Sequence, residues 1–151
     1  MKEEIDAESL DVRYMTAALY EVRREYVAAI REAEAASRLS GAANSVELQL
    51  LLADLYIQKQ QLGAARKAME KAVELRPTIP FLRLRLAQLL LQVSEPSEAL
   101  RHLIPNEPQT LRDAMTKEPA AAKLRAEAYR QLGDFAKAET EIRSAGGTDA
   151  S

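Results

Sequence analysis

Few residues in this 151-residue chain are of a type that could make or break bonds, and their spacing argues against it. His102 is the sole histidine, set between Arg101 and Leu103. There is no cysteine to pair with it and no clear carboxylate to orient it, so acid–base or nucleophilic catalysis lacks its supporting groups. The acids Glu3, Glu4 and Asp6 are a charge run in a polar tail, not a spaced set of metal ligands. The glycines make no phosphate-cradling loop. Arg83, Arg85, Arg101 and Arg112 are scattered over a chain of net charge −2 with 5% aromatic residues, whereas nucleic-acid binding wants a basic excess. Arg83 and Arg85 are instead expected to reach solvent over the apolar stems of their helix. These residues point to no enzyme, no cofactor, no metal and no nucleic-acid partner. What is left for function is surface.

The elements that would build such a surface are helical. Hydrophobic residues make up 47% of the chain, tryptophan is absent, and glycine and proline number 5 and 6. That balance favours helices built on Ala and Leu over a sheet. One continuous core fits this length. No stretch approaches the roughly 18 apolar residues of a membrane span. The opening MKEEIDAESL has acids where a secretory signal needs a basic start and an apolar run. The expectation is a soluble, cytoplasmic chain, with the periplasm open if a signal was removed.

In chain order, Met1 to Ser9 is expected to be a polar tail. A helical pattern begins at Leu10, and a second helix from Tyr26 should close at Ser40-Gly41. Asn44 or Ser45 is a suitable N-cap for the next helix, about Val46 to Lys59, which is apolar on nearly all sides. The following helix, about Ala64 to Leu75, carries a one-sided stripe of Ala65, Ala68, Met69, Ala72 and Val73, and Pro77 stops the pattern. Pro80 fits a first helical turn, Phe81 to Val93 is again apolar all round, and Glu98 to Ile104 is a short helix. Pro105 and Pro108 interrupt the chain before a separate helical piece at Gln109 to Lys117. Ala120 to Arg143 reads as two helices around a Gly133-Asp134 turn. One buried and one half-exposed helix in alternation is the signature of an inner and an outer layer.

The same pattern recurs. From Ala53, fixed offsets give Tyr56, Leu62, Ala65, Met69, Ala72 and Pro77. From Ala17 they give Tyr20, Tyr26, Ala29, Ala33 and Ala36; from Ala126, Tyr129, Phe135, Ala138, Ile142 and Ala145. From Ala87 they give Leu90, Pro96, Ala99 and Leu103, then fail at Asn106. The anchors are 36, 34 and 39 residues apart. This pattern resembles the tetratricopeptide repeat, a helix–turn–helix unit of about 34 residues. The likeness runs from about Leu10 to Ala145. It departs from the family where Gln49, Arg83 and Ala122 stand in place of an early large aromatic, and where the third unit carries five extra residues.

The resemblance implies an all-α fold: an α-solenoid of about three to four helix–turn–helix repeats, wound as a right-handed superhelix. The expected organisation is a tail at 1–9, one domain at 10–145 (units about 10–45, 46–79, 80–118 with an insertion, and 119–145), and a tail at 146–151. It also implies a concave face lined by the first helix of each unit. Helical spacing places on that face Asp11, Tyr14, Ala18 and Glu21, then Glu47, Leu50, Asp54 and Ile57. The third unit adds Phe81, Leu84, Gln88 and Leu91, and the fourth Ala120, Lys123, Glu127 and Arg130. One subfamily grips acidic C-terminal peptides with Lys, Arg and Asn here; Leu50, Asp54, Leu84 and Gln88 hold no such clamp. The partner-binding candidates are Tyr14, Leu50, Asp54, Ile57, Phe81, Leu84, Gln88, Leu91, Lys123, Glu127 and Arg130. An apolar centre with a charged rim suits a protein or peptide partner such as an amphipathic helix. The alternative is a self-associating structural repeat, or a piece of a larger repeat protein, in which copies or further repeats cover that face and the bare last helix.

Overall fold

Prolines and capping side chains start most of the helices. In the computed structural model, which describes residues 9–146, the Ser9 hydroxyl accepts from the Val12 amide (3.2 Å) and opens α1, Leu10–Val22. The Ser45 hydroxyl accepts from the Leu48 amide (3.1 Å) and opens α3, Val46–Gln58. Pro80, Pro96 and Pro119 each begin a helix, where a missing N–H costs nothing. These helices are α5, Pro80–Gln92; α6, Pro96–Leu103; and α8, Pro119–Leu132. The remaining helices are α2, Tyr26–Ala36; α4, Leu62–Leu75; α7, Gln109–Lys117; and α9, Phe135–Gly146. The fold is all-α, and the described residues contain no strand. The expected tails lie outside the described residues except for Ser9 and Gly146, and the Glu3, Glu4 and Asp6 run lies outside them altogether.

Boundaries follow the expected ones closely, with one clear difference. The second helix does not run to Ser40-Gly41. It ends at Ala36, and Gly41, in the left-handed region at φ 88°, instead leads into a single 3-10 turn at Ala42–Asn44. Gly41 is needed for that turn and not for the helix exit.

The turns inside the hairpins repeat at the level of the backbone. Arg24, Gln60, Ser94 and Gly133 stand seven residues after the four anchors, and all four have positive φ. The next amide in each case reaches back to the carbonyl five residues earlier: Glu25 to Tyr20, Gln61 to Tyr56, Glu95 to Leu90 and Asp134 to Tyr129, at 2.8–2.9 Å. The left-handed residue itself donates to Glu21, Ile57, Leu91 or Arg130. This pair of bonds is the Schellman closure, which satisfies the last carbonyls of a helix and reverses the chain. Beside each turn, small residues let the two helices approach. Ala17, Ala53, Ala87 and Ala126 in the first helices, and Ala29, Ala65, Ala99 and Ala138 in the second, are all buried.

The chain divides into two compact units between Leu75 and Arg76. In the first unit, α1 pairs with α2 and α3 with α4, and α3 packs across α2 and touches α1. Leu48, Leu55 and Met69 are its largest fully buried side chains. In the second unit, α5 pairs with α6 and α8 with α9, and α8 packs across α6 and α5. The inserted α7 lies against α8 and α5 and does not separate the two hairpins. It is held by Arg125, the one buried charged side chain among the described residues. The Arg125 guanidinium donates to the Met115 carbonyl at the end of α7 (3.1 Å) and to Glu141 of α9 (2.9 Å).

Candidate interaction surfaces

In the first unit, Tyr14 on α1 and Leu50, Asp54 and Ile57 on α3 are all half-buried, so each has part of its side chain available. Burial raises the Glu21 carboxyl above its ordinary range, and the nearby Asp54 charge raises it further. Asp54 on α3 thus contributes to the electrostatics of Glu21 on α1. Tyr56 has a separate structural duty: its hydroxyl donates to Glu34 of α2, with the hydroxyl pKa pushed up by burial and then by that bond.

In the second unit the candidates separate. Phe81 is exposed, with the Arg85 guanidinium 5.8 Å from its ring centre, a cation–π contact. Leu84 is half-buried and Gln88 exposed. Leu91 is buried, 7% exposed, and so gives a groove almost no side-chain surface. Arg83 does not reach out over its helix as expected: its guanidinium turns back and donates to the Pro77 carbonyl (2.8 Å), and burial lowers its pKa. Arg101 pairs with Glu98, and Arg112 donates to the carbonyls of Pro105 and Asn106. His102 is half-buried in the wall of a 540 Å³ cleft shared with Arg83, Arg101, Asn106 and Glu107. Among the described residues no group of His, Asp and Glu could hold a metal ion, and no helix is long and apolar enough to cross a membrane.

Lys123, Glu127 and Arg130 do come together, along one side of α8. Arg130 grips Glu127 through two hydrogen bonds (2.6 and 2.8 Å), and Gln131 adds a third (2.9 Å). The Arg130 bonds come first in holding the Glu127 carboxyl down to about 2. These three residues rim a 430 Å³ cavity whose floor is Ala126 with Phe135, Ala138 and Ile142 of α9. A second apolar depression, 500 Å³, lies on α1 along Tyr14, Met15, Thr16, Ala18, Leu19 and Val22. Phe135, Ile142, Met15, Leu19 and Val22 were not among the expected site residues. For two of them a signal was present in the repeat: the positions of Leu19 and Ile142, two and sixteen residues after the anchor, are buried in the other hairpins.

Residues 46–79, the α3–α4 hairpin and its exit loop, match the family model of the tetratricopeptide repeat. No curated protein matches the chain in sequence. Solved structures do match it in fold. A structure titled MamA AMB-1 superimposes with a TM-score of 0.79 at 20% identity, covering 99% of this chain and 79% of that one. One titled MamA MSR-1 gives 0.74 at 18% identity, covering 97% and 78%. A further MamA crystal structure gives 0.77 at 16% identity, covering 93% and 73%.

Proposed function

We propose that this chain, which carries a tetratricopeptide repeat at residues 46–79 and folds as MamA does, is a protein-interaction module that binds a helical or extended peptide of a partner. The repeat itself supports the coarse reading, because stacked hairpins offer broad surface and little chemistry. The observation behind the finer one is that Tyr14, Leu50, Asp54 and Ile57 of α1 and α3 are half-buried, with Glu21 feeling the charge of Asp54. Tyr14, Leu50 and Ile57 supply contact area, and the two carboxylates select a lysine or arginine on the incoming peptide. The preferred ligand is thus apolar and basic, opposite in charge to the acidic tails that a Lys/Arg clamp would hold. Phe81, Leu84 and Gln88 are a second candidate face on α5, and the chain's role would be that of an adaptor or scaffold.

Selection of displayed 15-residue peptides on the folded chain tests this. Enriched sequences should combine aliphatic or aromatic residues with at least one Lys or Arg. Their binding should fall at least tenfold in Asp54→Lys and in Leu50→Asp, with the helical signal unchanged. Peptides that bind Asp54→Lys as well as they bind the parent would overturn the assignment.

A further inference from the structure

Positive charge gathers beside the first hairpin turn. Arg24 in that turn, Arg31 on α2 and Lys59, the C-cap of α3, line one 440 Å³ depression. Its one carboxylate, Glu25, is already held by Arg23 at 2.7 Å. Among the described residues, none pairs with Arg24, Arg31 or Lys59. A single exposed cation is ordinary, because water solvates it well. Three around one depression without a counter-charge repel one another, and salt screens that only in part. The hairpins do not require the arrangement. In the second unit the same offsets from Ala87 and Ala126 hold Ser94, Arg101 and Leu132, and Arg101 there is bound to Glu98. Two units with the same hairpin turns thus differ in charge at equivalent places.

We infer that this depression docks an acidic segment of a partner protein. Charge complementarity names the occupant. The three cations stand on three different elements, so they meet successive carboxylates of a chain better than they converge on one compact anion. Val27, 60% exposed on the same rim, gives the segment an apolar contact. A nucleic-acid strand fits less well. The chain as a whole carries a net charge of −2, so a phosphate backbone running past the depression meets no general basic excess. A few carboxylates need only the depression itself. The inference rests on the same reading of the chain as a protein-interaction module, but the surface shares no residue with Tyr14, Leu50, Asp54 and Ile57. Its ligand is also opposite in charge to the one proposed there.

Fluorescence anisotropy with a labelled 12-residue peptide that alternates glutamate with alanine and leucine tests this on the full chain. The peptide should bind, and binding should weaken steadily as salt is added. The same peptide with glutamine in place of glutamate should not bind. Arg31→Glu and Lys59→Glu should each weaken binding roughly fivefold or more, since a reversal removes an attraction and adds a repulsion. Lys71→Glu makes the same change in net charge at an exposed cation of α4 outside the depression. It should leave binding within about twofold of the parent, solvent and salt screening the more distant charge. All three variants should keep the parent's helical signal. Failure of the acidic peptide to bind, equal binding of the glutamine peptide, or equal losses in Lys71→Glu and Lys59→Glu would overturn the inference. So would tighter binding of a 12-nucleotide oligothymidine, which marks a nucleic-acid site instead. Asp54→Lys should retain the acidic peptide, and Lys59→Glu the peptides that contain Lys or Arg, so failure of one surface is distinguishable from failure of the other.

Discussion

The two units solve one packing problem in different ways. In the first, α2 leads to α3 through a short link with a single 3-10 turn, and α3 lands directly on α2. In the second, a whole extra helix intervenes between α6 and α8, yet α8 still lands on α6. The stacking surface is therefore specified by the hairpins and not by the length of chain joining them. The insertion demands its own anchor, and that anchor is polar. Arg125 is buried so that one guanidinium can satisfy the end of α7 and a carboxylate of α9 together. The first unit has no counterpart among its described residues, where its core is entirely aliphatic, small or sulfur-containing.

The comparison breaks most sharply at Arg125. Arg125→Ala should cost about 2–3 kcal/mol, since it removes charged hydrogen bonds and strands Glu141 and the Met115 carbonyl. Hydrogen exchange should show the loss over α7, α8 and α9, with amides of α1 to α4 little changed. Uniform acceleration across the chain would mean that the units do not open separately.

A smaller effect sharpens what the units share. Gln60 and Gly133 hold the same left-handed turn position, but only glycine does so without strain. Gln60→Gly should raise stability by up to about 1 kcal/mol in urea unfolding, and Gly133→Ala should lower it by about as much. The Gly133 change isolates backbone strain, because an added methyl group there meets nothing within 4 Å. Equal effects of opposite sign would show that the two turns are energetically the same element.

The smallest expected change concerns Glu21. Its carboxyl pKa lies above the ordinary 4.5 in the folded chain, so the folded state holds a proton more tightly than the unfolded one. That cost is absent in acid and fully present once pH has risen past the folded-state value. Glu21→Gln should thus stabilise the chain at pH 7 by a few tenths of a kcal/mol, solvent screening most of the charge, and the gain should vanish near pH 4. A melting-temperature series across pH 4–7 reads this directly.

Much of the fold was legible because the repeat is written in residues whose size matters. Ala17, Ala53, Ala87 and Ala126 recur because two helices cannot approach past anything larger, and Ser45, Pro80 and the α7 limits follow from local capping and proline geometry. The helix exit at Ala36 was obscured by Gly41, a stronger punctuation mark four residues on, which serves a different turn. On the candidate surfaces, spacing placed Tyr14, Leu50, Asp54 and Ile57 on half-buried faces, while Leu91, at the same spacing in its own helix, is buried by packing that periodicity does not report. Arg125 was illegible for a different reason. Nothing local distinguishes an arginine that will be buried by a helix ten residues upstream from one that will face water.

The left-handed turn position holds Arg, Gln, Ser and Gly in turn, and the backbone does the same thing at all four. Geometry here is more constant than letters. Two chains can share this trace with few letters in common, as a 0.79 superposition at 20% identity illustrates. What such chains have in common is read better in dihedral angles than in matched residues.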